Sequence, residues 1–312
     1  MVAQSKEYIT DRAVRGMFFH ALEDGPMAWV SRVADRFESD QEVERYAFLG
    51  EVPQMKERVG NQAEAKTLTE NAFTIRNTDH EASLEVRLRD MERDKTGQIE
   101  KRVAELGTRA LAYPAKLLTA LMVAGETTAI YDGQAFFGTD HSEGASGSQS
   151  NDLSFDMVST APTVPELADA VLASIETMLG LKDDAGEPLN EGAMAFDVMI
   201  PVALFGTAKK ALNMPVILSG GQAVTNLIAN LEGYSLNLVV NPRLSAAEKF
   251  YTFRTDAGLK PLIIQEEIPL DIVTLGPASE YCRINKRCRY TAEWTGATGY
   301  GRWQHATLTT FS

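Results

Sequence analysis

The chain has little of what a metal enzyme, a secreted scaffold or a membrane protein requires. Of its 312 residues only two are cysteine, Cys282 and Cys288, and four are histidine. Two cysteines are too few for a disulfide framework in a chain this long, and their spacing matches no common zinc motif. They read as ordinary thiols in a reducing cytoplasm. No apolar run approaches the ~20 residues of a membrane span, and the opening stretch MVAQSKEYITDRAVRG lacks the apolar core of a signal peptide. The sequence therefore predicts no membrane contact and a protein that stays where it is made. Positive charge is also scarce: 30 Lys and Arg stand against 43 Asp and Glu, a formal net charge of -13. Coating nucleic acid needs a basic face that displaces counterions from phosphate, so that task is disfavoured. The deficit is uneven. From Arg283 onward, Arg283, Lys286, Arg287, Arg289 and Arg302 meet only Glu293, and this basic end reads as a solvated strand edge.

Catalytic motifs are also missing or broken. Leu218-Ser219-Gly220-Gly221-Gln222 spells the signature of ATP-binding-cassette ATPases, but no Gly-Lys dipeptide supplies the phosphate loop such an ATPase needs. It reads as a glycine turn between two short elements. His80-Glu81 would need a second histidine at the position of Leu84 to bind zinc. Gly299-x-Gly301 meets Gln304 where a dinucleotide fingerprint has its third glycine. Asp140-His141 is the one pair that could bind a metal or move a proton, and a surface turn is the plainer reading. The adjacent carboxylates Asp183-Asp184 and Glu266-Glu267 point in different directions and are read as solvated. The expectation is a protein that is not an enzyme and carries no cofactor or metal.

What is present is enough apolar material, 44% of residues, for a large core. Residues 1–43 give a broken helical signal and read as an arm. From Glu44 to about Met91 the pattern is that of a long, polar two-stranded ribbon, ending in the alternation of Leu84, Val86 and Leu88 with Glu85, Arg87 and Arg89. Such a hairpin has no core of its own and must lie on something else. The strongest helical stripe follows from Gln98 to Ala124, through Ile99, Val103, Leu106, Ala110, Leu117 and Leu121, with a kink expected at Pro114. Residues 138–154 are rich in Gly and Ser and read as an exposed loop or linker. Thr163 with Glu166 forms a capping-box pattern that opens a helix through Leu167, Val171, Ile175 and Met178. Beyond it, helices and strands alternate as in a second lobe, which indicates a mixed α/β or α+β chain.

Two segments are more specific than composition explains. One is Tyr131-Asp132-Gly133-Gln134-Ala135-Phe136-Phe137-Gly138-Thr139-Asp140-His141; the other is Gly299-Tyr300-Gly301-Arg302-Trp303-Gln304-His305-Ala306. Together they resemble the major head subunit family of phage Mu and its prophage relatives, where such segments recur in this order. Phe250-Tyr251-Thr252-Phe253, Leu259-Lys260-Pro261-Leu262-Ile263, and Phe48-Leu49-Gly50 with Pro53 extend the likeness to about residues 10–306. Cys282 to Thr298 follows the family's glycine-rich stretch only loosely.

The resemblance implies the Hong Kong 97-type capsid fold: an N-terminal arm (1–43), an extended β-hairpin loop (44–92), a peripheral domain (93–160) with a long spine helix at 98–124, an axial domain (161–256), and a return to the peripheral domain with a C-terminal segment (257–312). It further implies a shell of pentamers and hexamers around double-stranded DNA bound without sequence specificity. Scaffold, portal and decoration proteins are the expected partners, the virion the expected location, and the host cytoplasm the place of assembly. The motif residues Tyr131, Asp132, Gly133, Phe136, Phe137, His141, Gly299, Tyr300, Gly301, Trp303 and Gln304 are the expected frame. Lys56, Glu57, Arg58, Glu64, Lys66, Glu85, Arg87 and Arg89 on the ribbon are the expected contacts between subunits. The alternatives are an encapsulin-like nanocompartment shell and a metal-dependent hydrolase at Asp140 and His141.

Overall fold

The computed structural model describes residues 15–16, 18–20, 27–46, 73–94, 97–159, 161–219 and 221–312. In chain order the first part holds α1 (Ala28–Val33), β1 (Ala34–Glu38), β2 (Val43–Tyr46), β3 (Phe73–Arg76), β4 (Thr78–Arg87), α2 (Leu88–Arg93), α3 (Gln98–Leu111) and α4 (Tyr113–Ala124). The second holds β5 (His141–Ser142), β6 (Ser148–Gln149), β7 (Asp152–Phe155), α5 (Val164–Gly180), β8 (Ala195–Ile200), α6 (Phe205–Asn213), β9 (Val216–Ser219), β10 (Gln222–Thr225) and β11 (Ser235–Val240). The third holds β12 (Lys249–Arg254), β13 (Leu262–Leu275), α7 (Glu280–Asn285), β14 (Arg287–Tyr300) and β15 (Ala306–Phe311).

Two sheets carry the architecture. A four-stranded sheet runs β1-β13-β14-β4, with β1 parallel and the other pairs antiparallel. The long β13–β14 pair slips register between Glu266 and Asp271. Pro269 lies in that interval and has no N–H to give to a ladder, so the irregularity falls where the sequence cannot pair. The five-stranded sheet runs β11-β8-β12-β15-β7. Its alternating residues feed two cores. Phe196, Val198, Ile200, Phe250 and Phe311 pack with α5 and α6, while Met199, Tyr251, Phe253 and Leu308 pack with Leu118 and Met122 of α4 and with Leu262, Ile264 and Trp294 of the other sheet. The period of two along each strand is what lets one sheet serve both cores.

Several expectations need correction. The alternating segment Leu84–Arg87 is not a ribbon strand: β2 pairs with β3, and β4 leaves the ribbon to pair with β14 along its whole length. Its partly buried Leu84 and Val86 pack, with α3, against Tyr290 and the two cysteines, which gives the apolar face a core. The expected helix 98–124 is two helices that break at Ala112. Pro114 sits in the first turn of α4, where a missing N–H costs nothing, so the chain restarts a helix there instead of bending one. The Gly/Ser-rich stretch 138–154 is no free linker, because His141 and Asn151 within it are fully buried. Cys282 and Cys288 are joined in a disulfide: Lys286, with φ 53°, turns α7 directly into β14 and leaves the two Cα atoms 4.6 Å apart. Strands β7 and β15 lie together in the five-stranded sheet, so segments assigned by sequence to the first lobe and to the return segment complete the second.

The capping box at Thr163 is formed, with the Glu166 N–H donating to Thr163 Oγ1 at 3.4 Å and the Thr163 N–H donating to Glu166 Oε2 at 2.7 Å. Leu167, Val171, Ile175 and Met178 form the buried face of α5. Leu218 and Ser219 end β9 and Gln222 opens β10 of the hairpin, with Gly221 before it at φ 81°, a backbone that favours glycine.

Candidate functional site

The two sequence motifs, far apart in the chain, meet in one buried junction. The first begins where α4 ends at Gly125. A Cβ there would lie 3.3 Å from both the Phe137 and Tyr300 rings, tighter than an ordinary contact, so the two rings close in on the glycine. A tight turn follows, closed by the Gly133 N–H donating to Ile130 O at 3.0 Å, with Gly133 at φ 82°. Asp132 Oδ1 accepts from the Gln134 N–H at 3.0 Å, which leaves Oδ2 aimed at His141 Nδ1, 2.5 Å away. Both members of this pair are buried.

The second motif closes over the first. The Trp303 ring stacks on His141 with centroids 3.9 Å apart and planes 10° from parallel, and Phe136 stacks on Tyr300 at 4.7 Å. The Tyr300 hydroxyl donates to Leu121 O at 2.9 Å, which caps the end of α4. Trp303 Nε1 donates to Glu143 Oε1 at 3.2 Å, and the Tyr131 hydroxyl donates to the same oxygen. Burial and then the Glu143 charge push the Tyr131 hydroxyl far above its ordinary pKa, so it remains a donor. Gly301 is required where the chain passes Lys260, whose carbonyl oxygen would sit 2.4 Å from any Cβ. Gln304 O accepts from Asn190 Nδ2 at 2.9 Å, tying the motif to the loop before β8.

Asn151 joins the two segments. Its amide donates to Phe136 O at 2.9 Å in one motif and reaches Ala306 O at 3.1 Å and Trp303 O at 3.3 Å in the other, while its Oδ1 accepts from the Gly138 N–H at 2.9 Å. Sequence reasoning passed over Asn151 and Glu143 because both lie in the stretch read as a linker. A fully buried asparagine that meets four backbone groups fixes both chains in one register.

The expected pair Asp140-His141 is not a pair. Asp140 accepts from Ser148 Oγ at 2.6 Å, and His141 faces Asp132. Adjacent residues in the short strand region diverge to opposite sides, as the pleat dictates. Of the expected subunit contacts, Lys56, Glu57, Arg58, Glu64 and Lys66 lie outside the described residues, as do Phe48, Leu49, Gly50 and Pro53. Arg87 and Arg89 are exposed. Glu85 is engaged within the chain, where Arg287 donates to it at 3.1 Å and Tyr281 at 3.2 Å, and the Arg287 hydrogen bond draws its carboxyl below the usual range. Arg87 stands opposite Arg287 in the β4–β14 register, so the edge carries a basic cluster around Glu85.

Residues 9–163, the stretch that contains the first motif, match the family described as Mu-like prophage major head subunit gpT. Over that stretch, just under half of the chain, the sequence is similar to this head-subunit family. It is 33% identical over 109 residues to the Mu-like prophage FluMu major head subunit of Haemophilus influenzae, and 30% identical over 124 residues to the major capsid protein of Escherichia phage Mu. These matches cover 35% and 40% of this chain and the same shares of the two relatives, so each spans well under half of the relative's length. The fold itself extends much further. It superposes on a subunit of the procapsid of bacteriophage JBD30 with a TM-score of 0.53 at 21% identity, over 96% of this chain and 74% of that one. The α+β fold is therefore that of Hong Kong 97-like phage capsid proteins.

Proposed function

We propose that this chain is the major head protein of a Mu-like tailed phage or prophage, a non-catalytic subunit that assembles into a closed icosahedral shell around double-stranded DNA. The observation that supports this reading most is that nearly the whole chain follows the fold of a procapsid subunit, with both motifs joined at its centre. On this reading the four-stranded sheet with α3 and α4 is the peripheral domain and its spine, and the five-stranded sheet with α5 and α6 is the axial domain. Copies of the chain, as pentamers and hexamers, are the principal partners; scaffold, portal and decoration proteins are others. The product is a virion component, put together in the host cytoplasm.

The physical argument is one of geometry. The junction locks two sheets into one rigid plate, and many weak edge contacts between plates add up through multivalency. A net charge of -13 suits a wall that packaged DNA must slide past, because it does not grip phosphate. The basic cluster at Arg87, Arg287 and Arg289 is the exception and suits an acidic neighbour or the genome. The ribbon that starts at β2 and β3 is taken to lie over an adjacent subunit. Deleting residues 54–70 should then abolish large particles in light scattering and leave a folded monomer by circular dichroism. Particles of normal size from the deletion would refute the ribbon's role. A cellular nanocompartment shell is the second reading, favoured by the same fold; a shell that forms and fills with protein cargo in place of DNA would select it.

A further inference from the structure

The bond between Cys282 and Cys288 joins two residues that other contacts already hold together. Both cysteines are fully buried, in one cluster with Phe18, Val103 and Tyr290, and their Cα atoms are 4.6 Å apart. Ser279 caps α7, its Oγ accepting from the Cys282 N–H at 3.1 Å, and Lys286 in the left-handed region turns the chain straight into β14. The Lys286 carbonyl accepts from the Leu88 N–H at 2.9 Å, and Cys288 stands opposite Val86 in the β4–β14 ladder. Two thiols in this frame lie within bonding reach before any bond forms. A sequence separation of 6 also closes a short loop, which constrains the unfolded chain less than a long one would. The frame, more than the bond, sets the local fold.

We propose that Cys282 and Cys288 form a redox-timed modification site: thiols while the chain assembles, a disulfide once the particle has left the cell. This rests on the shell-subunit reading above, and in particular on assembly in the host cytoplasm. Glutathione and thioredoxin keep cytoplasmic thiols reduced, whereas the surroundings of a released particle are oxidising. The step is exchange with a small disulfide. One Sγ thiolate attacks it, the second Sγ displaces the mixed disulfide, and the Sγ–Sγ bond forms as the small disulfide departs as two thiols, carrying off the electron pair and the two thiol protons. Access comes from α7 itself. Cys282 is its one buried side chain, while Arg283 and Ile284 are exposed, so the reduced helix has little to hold it on the sheet and opens locally. Opening admits the oxidant, and the bond then prevents further opening. Tyr281 and Arg287, which both donate to Glu85 of β4, flank the bond, so closing it pins this basic edge of the four-stranded sheet.

The test uses the full chain, with its neighbouring phage genes if those are needed for particles. Cells holding assembled particles are quenched in acid, and the thiols are alkylated in denaturant and located by mass spectrometry. Released particles exposed to oxidised glutathione are treated in the same way. Both cysteines are expected to be alkylated in the cell and neither after release. A disulfide already present in the quenched cells would overturn the timing, and free thiols in the oxidised particles would overturn the site. Trypsin gives a second readout, because Arg283, Lys286 and Arg287 lie between the two cysteines. Cleavage there, mapped after reduction of the digest, is expected to be several-fold slower in oxidised than in reduced particles. Cys282→Ala combined with Cys288→Ala should assemble normally and be cut at the fast rate under both conditions. Equal rates in oxidised and reduced particles of the unaltered chain would overturn the stapling role, whatever the variant does. Failure of the chain to form any particle would instead overturn the shell reading, and the same alkylation of the soluble chain would then decide the thiol chemistry by itself.

Discussion

Around Trp303 the structure buries the polar side chains of Asp132, His141 and Asn151 and half-buries Glu143, whereas the β9–β10 hairpin exposes apolar ones. In the first region every hydrogen bond named above is made within the chain, and the stacked His141 and Trp303 rings are fully buried. In the second, Leu218 and Val216 are exposed among the described residues. The contrast separates what makes one subunit rigid from what the subunit offers to another. A buried polar network is costly unless fully engaged, but once engaged it admits one arrangement only. An exposed apolar edge costs the monomer little and becomes favourable when a partner removes it from water.

Substitutions that attack one region and spare the other sharpen this contrast. Trp303→Ala should have the largest effect, destabilising the chain by about 3–5 kcal/mol through the lost ring volume. It would show as a much lower denaturant midpoint or as insoluble protein; an unchanged midpoint would deny the junction its structural role. Asn151→Ala leaves carbonyl groups of both motifs without their donor and should cost about 2–3 kcal/mol in the same measurement.

Acid should act on the junction next. His305, at the end of the second motif, is held at about 4 instead of 6.5, chiefly by burial, with Arg302 and Arg254 adding like charge. Its Nδ1 lies 2.9 Å from Leu259 O, a bond the neutral ring makes as donor. Between these two values the unfolded chain binds the proton and the folded chain does not, so stability falls as pH drops from 6.5 toward 4. A His305→Gln chain that stays folded should lose much of that slope, and equal slopes in the two proteins would contradict the assignment. The smallest effect is expected at the exposed edge, where Arg287→Ala breaks the bond to Glu85 without a measurable change in midpoint.

Much of this fold was legible in the sequence. The stripe of Val103 and Leu118, the capping box at Thr163 and the alternation of Leu84 and Val86 each follow from short-range periodicity, and each is helix or strand as expected, although the stripe is split between two helices. What escaped was long-range. Alternation marks β4 as a strand but cannot say that its partner is β14, some two hundred residues later, and not the ribbon. The linker reading of 138–154 failed because Gly and Ser signal turns whether a turn is exposed or buried; only the contacts of Asn151 distinguish the cases. Asp140 was chosen as the partner of His141 by adjacency, yet the pleat separates neighbours and a turn at Gly133 returns Asp132 to the ring. The cysteines were read from their number, which says nothing about a local turn that brings two of them together.

The most direct test of the central claim is negative-stain electron microscopy of the purified chain, expressed with and without its neighbouring phage genes. The account predicts closed shells, or flat rings of five or six copies, in at least one of the two preparations. A strictly monomeric protein in both would contradict it.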